Sequence, residues 1–157
     1  MKYEITNEKK LVNGLTLYRI KALKNFSNLL SKVRAGDLGG WIEGELNLSQ
    51  EGDTWVANDA KVCGNARVSG NANVSEDAEV SGNAKVFGNA QVFGDAQVFG
   101  NAKVSGDAVV FGNARVSGDA EVSGDAQVYG KAWVYGDAEV YGDARLSRAG
   151  LWKSSGL

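Results

Sequence analysis

One apolar pattern, with a period of six residues, runs through most of the chain. From Val56 onwards a branched residue recurs at every sixth position, and it is valine each time until Leu146 ends the series. Alanine stands two residues before each of these anchors from Ala60 to Ala144. Because apolar and variable positions alternate as Ala-x-Val-z, the pattern predicts short β-strands with Ala and Val on one face.

Glycine followed by Asn or Asp separates one strand from the next. Both kinds of residue tolerate a positive φ, so we expect the chain to turn sharply after every strand. The breaks are few: Ala57-Asn58 opens the array, Glu76 stands at a glycine position, and Lys131 stands at an Asn/Asp position. Regularity of this kind predicts a repeat architecture.

Two repeat architectures fit such a pattern. An antiparallel meander would place every valine on one wet side of a single sheet. A coil that always turns in the same direction buries Val and Ala in a shared interior, and it is therefore preferred. With three strands per turn, about five triangular coils stack about 4.8 Å apart and form a prism about 25 Å long.

The repeated phrase has the general form V-[SFY]-G-[ND]-A-x, and residues 86–91 and 122–127 are two of its copies. It resembles the repeat of hexapeptide-repeat proteins, which form left-handed parallel β-helices. The resemblance implies the left hand, since general crossover statistics favour the right. We therefore expect an all-β fold, a left-handed parallel β-helix with a small N-terminal α+β capping module. Likeness of fold carries little information about function.

The chain divides into a capping module at 1–54, the hexad array at 55–147, and a C-terminal lid or tail at 148–157. Within the capping module, residues 2–6, 10–12 and 15–22 are predicted strands with a hairpin turn at Asn13-Gly14. Residues 24–33 carry apolar side chains at helical spacing, which predicts a short helix capped by Asn25 or Ser27.

The junction that leads into the first coil reads GGWIEGELNLSQEGDTWV. It resembles the N-terminal region of YdcK-type proteins, bacterial hexapeptide-repeat proteins described as candidate acyltransferases; similar short proteins occur on phages and mobile elements. The resemblance implies a lead-in module that docks on the first coil. We also expect Trp41 and Trp55 to plug the N-terminal end of the prism, because an uncapped end exposes an apolar interior and free strand edges. Leu151 and Trp152 are the candidate lid at the other end.

Composition narrows the choice of partners and compartment. Lys and Arg number 17 against 19 Asp and Glu, a net charge of −2, so there is no overall basic field and no nucleic-acid partner is expected. No apolar run is long enough to span a membrane, and the N-terminus lacks a signal pattern. The single cysteine, Cys63, excludes an intramolecular disulfide. A cytoplasmic protein without a membrane partner is the expectation.

Outward residues recur every third hexad, so each face of the prism presents stacked columns. One face carries an uncharged aromatic stripe, and we call it the third face. The stripe consists of Phe93, Phe111 and Tyr129 beside Gln91, Val109 and Gln127. An exposed apolar stripe often indicates an interaction surface, and the stacking of neighbouring coils is the alternative explanation. Self-association through this face, as a dimer or a trimer, is its natural use.

Two smaller surface groups lie towards the C-terminus. They are an aromatic patch of Trp133, Tyr135 and Tyr141, and an acidic patch of Asp119, Glu121, Asp137 and Glu139. Another corner stacks Asp107, Asp125 and Asp143, whose carboxylates could mimic a phosphate ladder or hold calcium. The preferred explanation is that a corner needs residues tolerant of positive φ, and no metal or other cofactor is predicted.

Hexapeptide-repeat acyltransferases typically use a histidine general base on a loop that leaves the helix. This chain has no histidine, and no loop interrupts its hexads. Cys63 faces outward without a His partner, so a Cys-His nucleophile is excluded. No Walker glycine loop and no zinc spacing occur. Ice binding is also disfavoured, because the exposed ranks are Ser, Phe and Tyr rather than Thr.

The sequence thus predicts a non-catalytic β-helical scaffold that binds protein, self-associated through the third face. A narrower version is a phage accessory protein that occupies a bacterial host or defence factor, suggested by the phage-like resemblance and the acidic coils. The alternative is an acyl-CoA-dependent acyltransferase-like enzyme, disfavoured by the missing histidine.

Overall fold

The computed structural model describes residues 1–148 and the backbone of residues 151–152. Five strands and one 3₁₀ helix precede the array. The strands before the array are β1 (Tyr3–Val12), β2 (Leu15–Ala22), β3 (Phe26–Ser27), β4 (Lys32–Val33) and β5 (Leu38–Ile42), followed by a 3₁₀ helix at Glu45–Asn47.

The array consists of very short strands, one per hexad. They are β6 (Trp55–Val56), β7 (Lys61–Val62), β8 (Arg67–Val68), β9 (Asn73–Val74), β10 (Glu79–Val80), β11 (Lys85–Val86), β12 (Gln91–Val92), β13 (Gln97–Val98), β14 (Lys103–Val104), β15 (Val109–Val110), β16 (Arg115–Val116), β17 (Glu121–Val122), β18 (Gln127–Val128), β19 (Trp133–Tyr135), β20 (Glu139–Val140), β21 (Arg145–Leu146) and β22 (Leu151–Trp152). Every third strand pairs in parallel, so the chain forms a β-solenoid with three sheets.

Each sheet is one face of the prism. The first face contains β7, β10, β13, β16 and β19; the second contains β8, β11, β14, β17 and β20; the third contains β6, β9, β12, β15, β18 and β21. In every pair the valine anchors align with one another and so do the outward residues, as Gln91 with Val109 and Val92 with Val110 show. The all-β coil predicted from the hexads is therefore confirmed.

The interior holds only Val and Ala over most of the array. Anchors such as Val98 and their partners such as Ala96 are fully buried. The coils are tied together by backbone hydrogen bonds, in which N–H groups donate to carbonyls of the following coil; Lys61 N to Ala78 O, at 3.0 Å, is one of them. Burial and hydrogen bonding thus repeat identically in each layer.

The corners show that one part of the turn prediction is wrong. The residue with positive φ is the glycine, as at Gly100 (φ 69°), and the following Asn or Asp does not share this conformation. With the Ala N–H donating to the carbonyl of position z, as Ala102 does to Phe99, the turn is of type II′. Asn58 and Glu76 stand at glycine positions and adopt φ values of 57° and 59°.

At two of the corners the Asn residues stack into hydrogen-bonded ladders, each of which ends at an Asp. Along one corner, Asn65 Nδ2 donates to Asn83 Oδ1, Asn83 to Asn101, and Asn101 to Asp119, each at 3.1 Å. A second ladder runs from Asn71 through Asn89 to Asp107. Amide ladders explain these asparagines better than a tolerance of positive φ, because an Asn inside a ladder donates to one coil and accepts from the other, and the terminal Asp accepts.

The capping module continues the first face. β1 and β2 form the predicted hairpin, with Asn13 and Gly14 at φ 51° and 81°. β2 pairs antiparallel with β5, and β5 pairs in parallel with β7. Leu48 makes a parallel bridge to Val68 on the second face. The lead-in segment therefore already follows the path of a coil before the hexads begin.

The helix predicted at 24–33 does not form, so the capping module lacks the α component expected of it. β3 and β4 make a small antiparallel hairpin instead. Asn28 is the cause: its Oδ1 accepts hydrogen bonds from the backbone N–H groups of Leu30 and Ser31, at 3.0 and 2.9 Å. An Asn side chain that closes a turn in this way competes directly with a helix.

Both lead-in tryptophans are buried, but they do not plug the prism. Trp41 aligns with Lys61 and Trp55 with Asn73, which are outward positions of the hexad. Trp41 lies under the Lys10 ammonium and the Arg19 guanidinium, and Trp55 makes an edge contact with Phe26. Residues continuous with the buried Val and Ala close the end of the prism, and they include Tyr3, Ile20, Ile42 and Leu48.

Lys2 and Tyr3 fasten the capping module to the lead-in coil. Lys2 Nζ donates to Thr54 O at 2.7 Å, and the Tyr3 hydroxyl donates to Leu48 O at 2.6 Å. Burial lowers the pKa of Lys2 to about 8, against an opposing effect of Asp53. Burial, and then the charge of Glu45, raises the pKa of Tyr3 above its ordinary value.

At the other end, β22 pairs in parallel with β19 and extends the first face. The predicted lid falls on this strand, but the side chains of Leu151 and Trp152 lie outside the description, as do residues 149–150 and 153–157. No helix among the described residues is long and apolar enough to cross a membrane.

Candidate protein-binding face

The structure brings together all six residues predicted for the third face. Gln91, Val109 and Gln127 align in register on β12, β15 and β18. Phe93, Phe111 and Tyr129 follow these strands and form a continuous ring stack, with centroids 5.1 Å apart and planes within 8° at both steps. The predicted aromatic stripe is therefore a physical ladder along the solenoid axis.

The ladder is half-buried, as are the residues beside it. Each ring covers the next, so the stack contributes to the cohesion of neighbouring coils. All three rings remain partly exposed. The third face is thus preorganised: its aromatic side chains are already fixed before any partner arrives.

A groove of about 480 Å³ opens at the N-terminal end of this face, between the β3–β4 hairpin and Phe93. The hairpin lies against the first coils, where Ser31 Oγ donates to Asn73 Oδ1 at 2.8 Å. Apolar and charged side chains share the lining; they include Leu30, Val33, Leu38 and Trp55 with Lys32, Asp37 and Glu76. Sequence reasoning missed this groove because it depends on a hairpin that was expected to be a helix.

Glu76 forms part of the groove in a strained conformation. A bulky residue rarely adopts positive φ, and this costs about 1–2 kcal/mol. Its side chain turns along the corner, where Oε1 accepts a hydrogen bond from Gly94 N at 2.8 Å. Asn58 Oδ1 accepts one from Glu76 N in the coil below, at 3.0 Å. The two irregular residues therefore continue the corner by side-chain contacts.

The predicted secondary aromatic patch is divided between two faces. Trp133 and Tyr135 belong to the first face, where their rings lie 4.9 Å apart with a tilt of 46°. Trp133 Nε1 donates to Ser117 Oγ, and the side chain is 41% exposed. Tyr141, which is 49% exposed, follows β20 on the second face.

The predicted acidic patch is a row of exposed carboxylates. Glu121 and Glu139 are direct neighbours on β17 and β20, and Asp119 and Asp137 stand at the adjoining corner. Like charges side by side destabilise a sheet slightly. Within residues 1–148, the close ion pairs join Arg19 to Glu8 and Asp59, and the row makes none, although Lys103 is the cross-strand neighbour of Glu121. The described residues hold no cluster of three or more side chains suited to a metal ion.

Cys63 is half-buried beside a groove of about 220 Å³ under the β1–β2 hairpin. Burial raises the pKa of its thiol, and the nearby carboxylates of Glu43 and Glu79 raise it further. A thiol with a raised pKa is a poor nucleophile at neutral pH.

Comparison with known families agrees with this geometry. The family model of the YdcK β-solenoid repeat matches residues 60–76 and 96–112. Two segments of the array thus match the YdcK β-solenoid repeat, and the stacked parallel strands make the chain a repeat β-solenoid. Each matched segment spans nearly one full turn of the prism, so the YdcK repeat corresponds to a coil rather than to a single hexad. No curated protein matches the chain.

Proposed function

We propose that this YdcK-type solenoid is a non-catalytic scaffold that acts by binding protein, and that it self-associates through the third face. The observation that carries the proposal is the half-exposed ladder of Phe93, Phe111 and Tyr129. Aromatic side chains are enriched at protein interfaces, where fixed rings lose little conformational entropy on binding. The flat array of rings and amides suits a protein surface better than a small molecule.

The available chemistry supports a role without catalysis. A scaffold needs no general base, and the chain has no histidine. The thiol of Cys63 has a raised pKa and therefore does not offer an activated nucleophile. The competing function, acyl transfer from an acyl-CoA, is tested directly by incubating the protein with acetyl-CoA and candidate amine acceptors and measuring release of free CoA.

The acidic row supports a narrower proposal. In it, this chain is a phage accessory protein that binds a bacterial host or defence factor through its C-terminal coils. Glu121 and Glu139 are cross-strand neighbours of like charge, with Lys103 beside Glu121 on its other side, so a basic partner surface near Glu139 would relieve their repulsion. Substituting both residues by Gln should abolish capture of such a partner. Undiminished capture would refute the acidic row as the binding site.

Solution mass measured by light scattering tests self-association. We expect the wild type to form a dimer or trimer, and Phe111→Asp to be monomeric, because a carboxylate would be placed in the centre of the apolar stripe. Phe87→Asp is the matched control, since Phe87 is an exposed aromatic residue at the same hexad position on the second face. Its mass should equal that of the wild type. A monomeric wild type at high concentration would refute the proposal.

A further inference from the structure

We infer that the third face joins two copies of this chain in an antiparallel arrangement, with a twofold axis at the level of Phe111. The inference rests on the proposed self-association of that face. Its starting point is the corner beside the aromatic ladder, where the charge changes sign along the solenoid axis. Above Asn58 and Asp59 of the first coil, this corner carries in ascending order Glu76 and Asp77, Asp95, Asn113, Lys131 and Arg148, all of them exposed.

This corner column is complementary to its own reverse. Asn113 lies in the coil of Phe111, with Asp95 one coil below and Lys131 one coil above. A twofold axis across the face at Asn113 therefore brings Asp95 opposite the second copy's Lys131. Two coils from the axis, Glu76 meets the second copy's Arg148. Lys131 is the one basic residue at an Asn/Asp position of the array, and pairing with Asp95 of the second copy gives it a role.

The columns on the face itself match under the same operation. Phe111 packs on its own copy, and Phe93 packs on Tyr129, so the aromatic ladder faces an aromatic ladder. In the neighbouring column Val109 meets its own copy, and Gln91 meets Gln127. An isologous contact of this kind requires a self-complementary surface, and here apolar, amide and charged positions all satisfy the requirement.

The charges at the opposite corner of the third face are less completely complementary under the same twofold axis. It carries Asn71 and Asn89 in the lower coils, then Asp107, Asp125 and Asp143. Reversal places Asn89 opposite Asp125 and Asn71 opposite Asp143. The single repulsive pair is Asp107 with its own copy, on the axis and exposed to solvent, where screening limits the repulsion.

The capping hairpin favours the antiparallel arrangement over a parallel one. The β3–β4 hairpin covers the first coils of the third face through contacts such as Phe26 with Trp55. In a parallel dimer the two hairpins would meet at the same level and hold the ladders apart. In the antiparallel dimer each hairpin lies at the far end of the other copy, and the groove containing Asp37 and Glu76 receives the end that carries Arg145 and Arg148.

The size of the face predicts a weak dimer. Asn73 is buried beneath the capping hairpin, so the free part of the face runs from Gln91 to Arg145, over three coil steps or about 14 Å, and it is about 15 Å wide. Two such flat areas total about 420 Å², well below the about 1,000–1,200 Å² of stable specific interfaces, as in weak, transient contacts. We therefore expect a dissociation constant in the micromolar range, which makes changes in either direction measurable.

A charge swap tests the arrangement, with sedimentation velocity as the readout. Lys131→Asp should weaken the dimer about tenfold, because two attractive pairs become repulsive. Adding Asp95→Lys should restore the wild-type constant to within about threefold. The matched control combines Lys131→Asp with Asp125→Lys, because Lys131 would face Asp125 in a parallel dimer. This second combination should remain weak. The three substituted positions, Lys131, Asp95 and Asp125, are exposed corners, and circular dichroism checks that each variant is folded.

The outcomes separate the two proposals. Rescue by Asp95→Lys alone supports the antiparallel dimer, and rescue by Asp125→Lys overturns it in favour of a parallel one. A dimer that is insensitive to Lys131→Asp also overturns the arrangement, but it leaves the aromatic face as a contact that Phe111→Asp still tests. A wild type that stays monomeric at all concentrations refutes both self-association and its geometry.

Discussion

Glycines at the corners serve two separate physical requirements, and one pair of substitutions distinguishes them. Gly124 and Gly142 occupy the same corner in successive coils, with φ values of 64° and 63°. A Cβ added at Gly124 would lie 2.8 Å from the backbone nitrogen of Gly142. A Cβ added at Gly142 would meet nothing within 4 Å. Alanine at Gly142 therefore reports the cost of positive φ alone, and alanine at Gly124 adds a clash between coils.

The magnitudes follow from these contacts. Positive φ in alanine costs about 1–2 kcal/mol, so we expect Gly142→Ala to lower the free energy of unfolding by about that amount. Forcing a methyl group against a rigid backbone costs about 1–3 kcal/mol more. Gly124→Ala should therefore cost about 2–5 kcal/mol in total. With a urea slope of about 2 kcal/mol per molar, the midpoints should fall by about 0.5–1 M and by about 1–2.5 M.

Urea unfolding followed by circular dichroism measures both variants. Because the last coils of a solenoid can open on their own, hydrogen exchange of the Lys103 amide in a central coil provides the reference for global unfolding. Equal losses for the two variants would refute the clash. They would show that coil spacing can adjust to a Cβ at the corner, where Glu76 already places a side chain at a glycine position.

Two further predictions concern titratable groups. The free energy of unfolding should rise from pH 8 to pH 10, because Lys2 has a folded pKa of about 8 and its side chain is more protonated in the unfolded chain over this range. Above pH 10 the free energy of unfolding should fall, because the raised pKa of Tyr3 keeps its hydroxyl more protonated in the folded chain. Thermal midpoints against pH test both trends, and Tyr3→Phe should remove the fall above pH 10 while Lys2→Met removes the rise. Cys63 should react with a disulfide reagent with a pH midpoint above about 8.5, the value of a free thiol; Glu79→Gln should lower this midpoint, and an unchanged midpoint would contradict the effect of that carboxylate on the thiol pKa.

The array could be predicted from the sequence because one local rule decides it. Ala and Val occupy equivalent positions in nearly every hexad, so a strand, its inward face and its register follow from the same six residues. Glycine after each strand fixes the corner. Phe93, Phe111 and Tyr129 are spaced by one full turn, so their stacking could be deduced from the period without knowing any contact. These elements depend on the repeat alone.

The capping module could not be predicted to the same extent because its structure depends on single contacts. Apolar spacing at 24–33 favoured a helix, but hydrogen bonds from Leu30 and Ser31 to the Asn28 side chain produce a hairpin. The position of that hairpin creates the groove beside Phe93 and covers Trp55, which alternation with Val56 places on the outside of the coil. The spacing of the corner asparagines by one full turn was visible in the sequence. Their presence was ascribed to a tolerance of positive φ, whereas in the structure their side chains form hydrogen bonds between coils.

The interior and the surface of this solenoid have different periods, and this difference limits how the chain can change in evolution. Every hexad supplies the same Val and Ala to the interior, so the loss or gain of six residues leaves the packing of the remaining coils intact. The outward columns repeat only after three hexads. A single hexad removed between Phe93 and Phe111 would move Phe111, Tyr129 and Lys131 to another face, whereas a complete turn could be removed without mixing the faces. Selection on stability can therefore tolerate insertions and deletions in units of six, while selection on the binding surface admits them only in units of a complete turn.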